Sequence, residues 1–150
     1  MRNFKTTFTL FSLIVILGLS ISCDHYHHEE NIITSTDLLA GRSDDGKIWR
    51  ITSIELEGLG RIEPFECLQD NNITYYPSGR YEVNEGISKC DPEAPPAFLG
   101  SWELNRSESI LTIQIEDSIA VWDITYLRED VHRISRRFYE GERTYILQRF

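Results

Sequence analysis

Short runs of β-branched and aromatic residues alternate with clusters of turn-forming residues from residue 47 to the end of the chain. In one run, Leu111, Ile113 and Ile115 share one face while Thr112 and Gln114 share the other, which is the two-residue period of a half-buried strand. Eight such runs predict eight strands, at residues 48–54, 73–76, 80–83, 98–104, 110–115, 119–127, 132–139 and 143–150.

The segments between these runs are short and carry residues that tight turns favour, as in Pro77-Ser78-Gly79. Because short loops join neighbouring antiparallel strands, the pattern predicts an all-β, up-and-down meander. Eight strands of this kind can close into a β-barrel whose interior is filled by side chains or holds one small ligand. A β-sandwich is the alternative arrangement of the same strands.

A short helix is predicted before the first strand, at residues 34–41. Ser35 or Thr36 can cap its N-terminus, Asp37 suits its first turn, and Gly41 ends it. The helix and the strands together are expected to form one domain over residues 34–150.

The N-terminal segment has the layout of a secretory signal peptide. Arg2 and Lys5 precede an apolar stretch at residues 8–21, and the small residues Ser20 and Ser22 follow just before Cys23. The apolar stretch of about 14 residues is shorter than the roughly 20 that a membrane-spanning helix needs. Residues 1–22 are therefore predicted to direct export and to be cleaved.

Loss of the signal peptide removes Arg2 and Lys5 and no acidic residue. The remaining chain carries 13 Lys and Arg against 24 Asp and Glu, which is a net charge of −11. This balance argues against nucleic acid as a partner, because each phosphate contact needs local basic charge. It also argues against attachment to anionic lipid through the protein surface. A membrane association would then need a covalent anchor.

Cys23 follows Leu19-Ser20-Ile21-Ser22, which resembles the lipobox of bacterial lipoproteins with serine where a leucine is usual. The resemblance implies a thioether-linked diacylglycerol on Cys23, and two or more lipid chains make a stable anchor. The alternative is ordinary cleavage after Ser22, which would leave Cys23 as a free thiol in an oxidising compartment.

The other two cysteines, Cys67 and Cys90, flank a predicted hairpin. If Ser78 and Gly79 form a two-residue loop, the two thiols face each other across antiparallel strands at a separation that a disulfide can bridge. A three-residue loop or a bulge would shift the pairing by one residue. The rival interpretation, a metal-binding pair, lacks companion ligands nearby, so a disulfide is predicted.

Residues 23–33 are polar after the cysteine and predict a spacer between the lipid and the domain. His25, His27 and His28 stand there beside Glu29 and Glu30, residue types that bind zinc or copper. A flexible tail would have to supply the geometry, so unbound histidines are the expectation and no metal or other cofactor is predicted.

Several short motifs occur in a fixed order between residues 38 and 104. They are Leu38-Leu39-Ala40-Gly41, Gly46-Lys47-Ile48-Trp49, Cys67-Leu68-Gln69-Asp70-Asn71, Tyr76-Pro77-Ser78-Gly79-Arg80-Tyr81, Lys89-Cys90-Asp91-Pro92 and Gly100-Ser101-Trp102-Glu103-Leu104. In this set the chain resembles the lipocalin-like domains of small lipoproteins from Bacteroidota. The resemblance implies a lipocalin-like barrel and export, and it transfers no ligand-binding residues.

The expected function is binding of a small hydrophobic or amphipathic ligand at the cell envelope, by a lipoprotein anchored in the outer membrane. Trp49 and Trp122 are candidates for the ligand wall, although a tryptophan near a barrel end can instead plug the core. The alternative is a filled barrel that serves as a non-catalytic interaction or structural lipoprotein. No catalytic motif or phosphate-binding loop is present in the sequence, so an enzyme is not expected.

One basic cluster stands out on the acidic chain, formed by Arg133, Arg136 and Arg137. It could contact a partner or a carboxylate. Alternatively it is a solvated strand face whose arginines pair across strands with Glu140 or Glu142.

Overall fold

In a computed structural model of the protein, the described residues are 32–150. The predicted signal peptide, Cys23 and most of the predicted spacer, with His25, His27 and His28, lie outside these residues. The described part contains two short helices and nine strands. Their bounds are α1 Ser35–Ala40, β1 Lys47–Leu56, β2 Gly60–Ile62, α2 Glu66–Gln69, β3 Asn72–Tyr75, β4 Arg80–Asn84, β5 Ala97–Leu104, β6 Ile110–Ile115, β7 Ser118–Leu127, β8 Val131–Phe138 and β9 Gly141–Arg149.

Eight of these strands close into an antiparallel barrel. From β3 to β9 each strand pairs with the next one along the chain, and β1 pairs with both β3 and β9, which completes the ring. Closure of the sheet on itself confirms the predicted up-and-down barrel and excludes the β-sandwich. All eight predicted strands are present. Each alternating run has one apolar face, and the short polar turns between the runs let neighbouring strands pair as hairpins that bury this face.

The ninth strand, β2, was not expected. It forms a hairpin with the second half of β1, whereas the first half of β1 pairs with β3. On its other edge β1 pairs with β9 along most of its length, with a bulge between Ile51 and Ser53. A bulge bends a strand and increases its twist. This bend suits β1, because its first half pairs with β3 and its second half with β2.

Helix α1 lies across one end of the barrel, where it buries Leu39 and Ala40 completely. Its N-cap is Thr34 and not the predicted Ser35 or Thr36, since the Thr34 hydroxyl accepts from the Asp37 amide and the Asp37 carboxylate accepts from the Thr34 amide. This reciprocal pair satisfies two amides that a helix leaves free. The hydrogen bond from the Thr34 amide to the Asp37 carboxylate, followed by the contact with Arg42, lowers the pKa of Asp37.

The β3–β4 turn has the three-residue form, which was the alternative to a two-residue loop. Pro77, Ser78 and Gly79 form a three-residue loop, with Gly79 in the left-handed region at φ 83° and pairs such as Ile73 with Val83 on the strands. This loop adds one residue to the two-residue turn assumed from the sequence. The hairpin register therefore does not place the cysteines opposite each other.

The disulfide between Cys67 and Cys90 is nevertheless present, with Cα atoms 4.9 Å apart. It links α2, which precedes β3, to the loop that follows β4, so it joins two segments beside the hairpin and not two strands of it. Asp70 makes a second link to the same loop, because its carboxylate accepts from the amides of Ile87 and Ser88 at 2.7 and 3.1 Å. These hydrogen bonds lower the pKa of Asp70.

Within residues 32–150, neither helix has the length and apolar character required to cross a membrane.

Candidate functional site

Alternation along the strands divides side chains between the inside and the outside of the barrel, and the inside has two distinct halves. The half beneath α1 is densely packed. Trp49 is fully buried, and its indole nitrogen donates to the Leu39 carbonyl at 2.8 Å. Lys47 donates to the Leu38 carbonyl, also at 2.8 Å. A helix leaves its last carbonyls without intrahelical partners, so these two donors complete the seal at this end.

His132 lies at the centre of the sealed half. Its ring is fully buried, 4.5 Å from the Trp49 ring and 5.8 Å from the Tyr75 ring, centroid to centroid. Neither ring nitrogen has a hydrogen-bond partner in the described part of the chain. Burial, with a smaller contribution from the nearby charge of Lys47, lowers the pKa of His132 from 6.5 to about 3. The imidazole is therefore neutral in the folded protein at physiological pH.

The other half of the interior holds a cavity of about 310 Å³. Of the described residues, twelve line it, and none of these twelve carries a charge. They are Ile51, Leu68, Ile73, Tyr75, Tyr81, Ile113, Ile115, Ala120, Trp122, Ile134, Tyr145 and Leu147. A cavity of this size and character lies at the lower end of the range that binds small organic molecules.

The tyrosine hydroxyls give the apolar wall its polar groups. Burial, followed by the proximity of Tyr81, raises the pKa of Tyr75 well above its usual value of 10. Burial also raises the pKa of Tyr81. Both phenols are therefore protonated across the physiological range. Their rings lie 5.1 Å apart. Each can donate a hydrogen bond to a group that enters the cavity.

The mouth of the cavity lies at the end opposite α1, beside the disulfide. Leu68 of α2 reaches the cavity from there, and the Cys67–Cys90 bridge holds α2 to the loop after β4. The bridge therefore fixes one wall of the mouth. This role of α2 was not predicted, because four helical residues between two turns carry no helical period in the sequence.

The two tryptophans proposed from the sequence lie in different places. Trp122 lines the cavity and packs edge-on against Tyr145, with ring centroids 5.5 Å apart. Trp49 belongs to the sealed half and does not reach the cavity. The wall residues Tyr75, Tyr81 and Ala120 were missed, although the alternation of their strands could have identified the inward positions.

The structure separates the three arginines of the basic cluster. Arg136 follows His132 and Ile134 on the inward face of β8, at the mouth, whereas Arg133 and Arg137 alternate to the outer face. Arg137 donates to Glu57 at 3.3 Å and is 72% exposed. The cluster is therefore not a single basic surface.

Comparison with solved structures identifies the fold, whereas the sequence comparisons find no match. No protein-family model matches the chain, and no curated protein matches it. A lipocalin-like protein from Bacteroides uniformis is 13% identical with a TM-score of 0.50, and the match covers 72% of this chain and all of that one. An uncharacterized protein from Bacteroides eggerthii is 9% identical with a TM-score of 0.50, over 69% of this chain and 98% of that one. At these identities the likeness concerns the backbone alone, and this chain has the lipocalin-like fold.

Proposed function

We propose that the protein is a non-catalytic binding module that holds a small hydrophobic or amphipathic molecule in the open half of its barrel. The observation that carries this proposal is the uncharged cavity of about 310 Å³ beside a second half that is already filled. An apolar guest gains from leaving water in proportion to its buried area.

The first test is to fill the cavity with a phenylalanine and to compare that variant with one that carries the same side chain outside the cavity. Ala120→Phe places a ring in the cavity, whereas Val121→Phe places one on the outer face, where Val121 is 49% exposed. We expect Ala120→Phe to abolish displacement of a bound fluorescent fatty acid and Val121→Phe to leave it unchanged. Equal binding by both variants would refute the cavity as the site. Thermal melting of each variant checks that the fold is retained.

A second candidate function is a filled barrel that acts through its outer surface. Leu99, Ile119 and Val121 are exposed on the outer face of β5 and β7, which gives a protein partner an apolar contact. Native mass spectrometry of the gently extracted protein distinguishes the two functions. A small molecule that co-purifies supports the cavity, whereas an empty protein that displaces no probe and captures a stoichiometric protein partner supports the surface.

We also propose that the protein is exported and anchored by lipid on Cys23 in the outer membrane. The support is sequence-based: the basic, apolar and small-residue order of residues 1–22 and the cysteine that follows it. Mass spectrometry of the membrane-extracted chain tests this directly. A mass that begins at residue 23 and includes acyl chains is expected, and an unmodified Cys23 would refute the anchor.

A further inference from the structure

The mouth of the cavity carries two arginines that face each other. Arg136 on β8 pairs directly with Arg143 on β9. Each lies two residues from an inward-facing residue that lines the cavity, Ile134 on β8 and Tyr145 on β9. Like charges directly opposite each other on a sheet are destabilising. The chain has 24 acidic and 15 basic residues, so two arginines directly opposite each other are unexpected and require a physical explanation.

Little in the protein neutralises this pair. Arg143 reaches Glu140 only at 3.7 Å, and Glu140 is 82% exposed, so water screens the ion pair strongly. Within residues 32–150, no carboxylate lies within ion-pair distance of Arg136. By contrast, the outward Arg137 on the same strand does pair with an acid, Glu57, at 3.3 Å. Most of the positive charge and of the hydrogen-bond donors of Arg136 and Arg143 therefore stays available for a ligand.

Aromatic rings hold the two guanidinium groups at the edge of the cavity. The guanidinium carbon of Arg136 lies 5.3 Å from the Phe138 ring and 5.8 Å from the Trp122 ring, and that of Arg143 lies 5.0 Å from Phe138. Arg143 also donates to the Tyr145 hydroxyl at 3.4 Å. Because Trp122 and Tyr145 line the cavity, the charged pair and the apolar space are contiguous.

We propose that Arg136 and Arg143 bind the carboxylate of an amphipathic ligand whose apolar tail fills the cavity. This assignment rests on the proposed binding function and specifies the class of its ligand as an alkyl or aryl carboxylate. Each guanidinium presents a planar fork of donors that matches the two oxygens of a carboxylate. A bound carboxylate also removes the repulsion between the arginines. The tail is directed away from the mouth, towards Tyr75 and Tyr81.

The test compares two probes that differ only in their head group. Decanoate and 1-decanol, each below its aggregation limit, compete with the uncharged dye N-phenyl-1-naphthylamine for the exported chain. This chain carries Cys23→Ser and is purified after residues 1–22 have been removed, so neither an acyl chain nor the apolar segment requires detergent. We expect decanoate to compete about tenfold or more tightly than 1-decanol, the effect of one charge-assisted contact. Added NaCl should narrow this difference, because the arginines are partly exposed.

Substitutions then assign the difference to the pair. The double variant R136Q/R143Q should bind decanoate no more tightly than 1-decanol while its affinity for 1-decanol stays unchanged. The matched control is R137Q, which removes an arginine from the outer face of the same strand and should keep the preference. If the double variant does not fold, the single variants R136Q and R143Q are compared, and each should lose part of the preference.

The possible results separate the two proposals. The carboxylate assignment is overturned if the chain with both arginines binds decanoate and 1-decanol equally well. It is also overturned if R136Q/R143Q still prefers decanoate. Either result leaves cavity binding intact. If neither the dye nor either probe binds, the proposed binding function fails and the assignment fails with it.

Discussion

His132 is predicted to make the stability of the barrel depend on pH in a way that one substitution removes. The ring is fully buried and neutral in the folded protein, where its pKa lies near 3. In the unfolded chain its pKa returns to 6.5. As the pH falls below 6.5, only the unfolded chain takes up the proton, so the free energy of unfolding decreases.

The magnitude follows from the two pKa values. Between pH 7 and pH 5, protonation of the unfolded His132 lowers the free energy of unfolding by about 2 kcal/mol, since each pH unit below 6.5 contributes about 1.4 kcal/mol until the folded pKa is reached. In the His132→Leu variant this contribution is absent. At pH 7 the substitution itself should change stability little, because it replaces a buried imidazole that lacks a hydrogen-bond partner among the described residues.

Urea denaturation at pH 5, 6 and 7 measures the effect. Carboxylates such as Asp37 and Asp70, whose pKa values are lowered in the fold, also cost stability as the pH falls, but they do so equally in both proteins. The difference between wild type and His132→Leu therefore isolates the histidine. If the two proteins lose stability in parallel between pH 7 and pH 5, the reasoning is refuted.

Three further predictions concern elements outside the cavity that stabilise the barrel. Trp49→Ala should cost about 3–5 kcal/mol by urea denaturation, because it removes a fully buried ring from the sealed half. Replacing both Cys67 and Cys90 by alanine should cost about 3.5 kcal/mol on the chain-entropy model, for a sequence separation of 23 residues, as measured with guanidinium under oxidising conditions. Gly79→Ala should cost about 1–2 kcal/mol in the same assay, because alanine resists the left-handed backbone at φ 83°.

The strands could be predicted from the sequence because each shows alternating apolar and polar residues and is bounded by turn-forming residues. Leu111, Ile113 and Ile115 face the interior as their alternation requires, and Leu111 is fully buried. Closure was one of the two arrangements that the sequence allowed, since a β-sandwich of the same strands also buries one face of each. The same local rules predicted the short helix that ends at Gly41.

Other features depend on contacts that no local pattern encodes. One extra residue in the loop at Gly79 changes the hairpin register, and the Cys67–Cys90 bridge depends on where α2 and the loop after β4 meet in space. The arginine pair is a similar case, because Arg136 and Arg143 come together only through the β8–β9 register. From the sequence, Arg136 was indistinguishable from its neighbour Arg137.

The position of α1 fixes the end of the barrel at which the described residues begin. Because α1 covers the sealed half of the barrel, the first described residues lie at the end opposite the Arg136–Arg143 pair. Exchange of a guest through the mouth would then need no movement of α1.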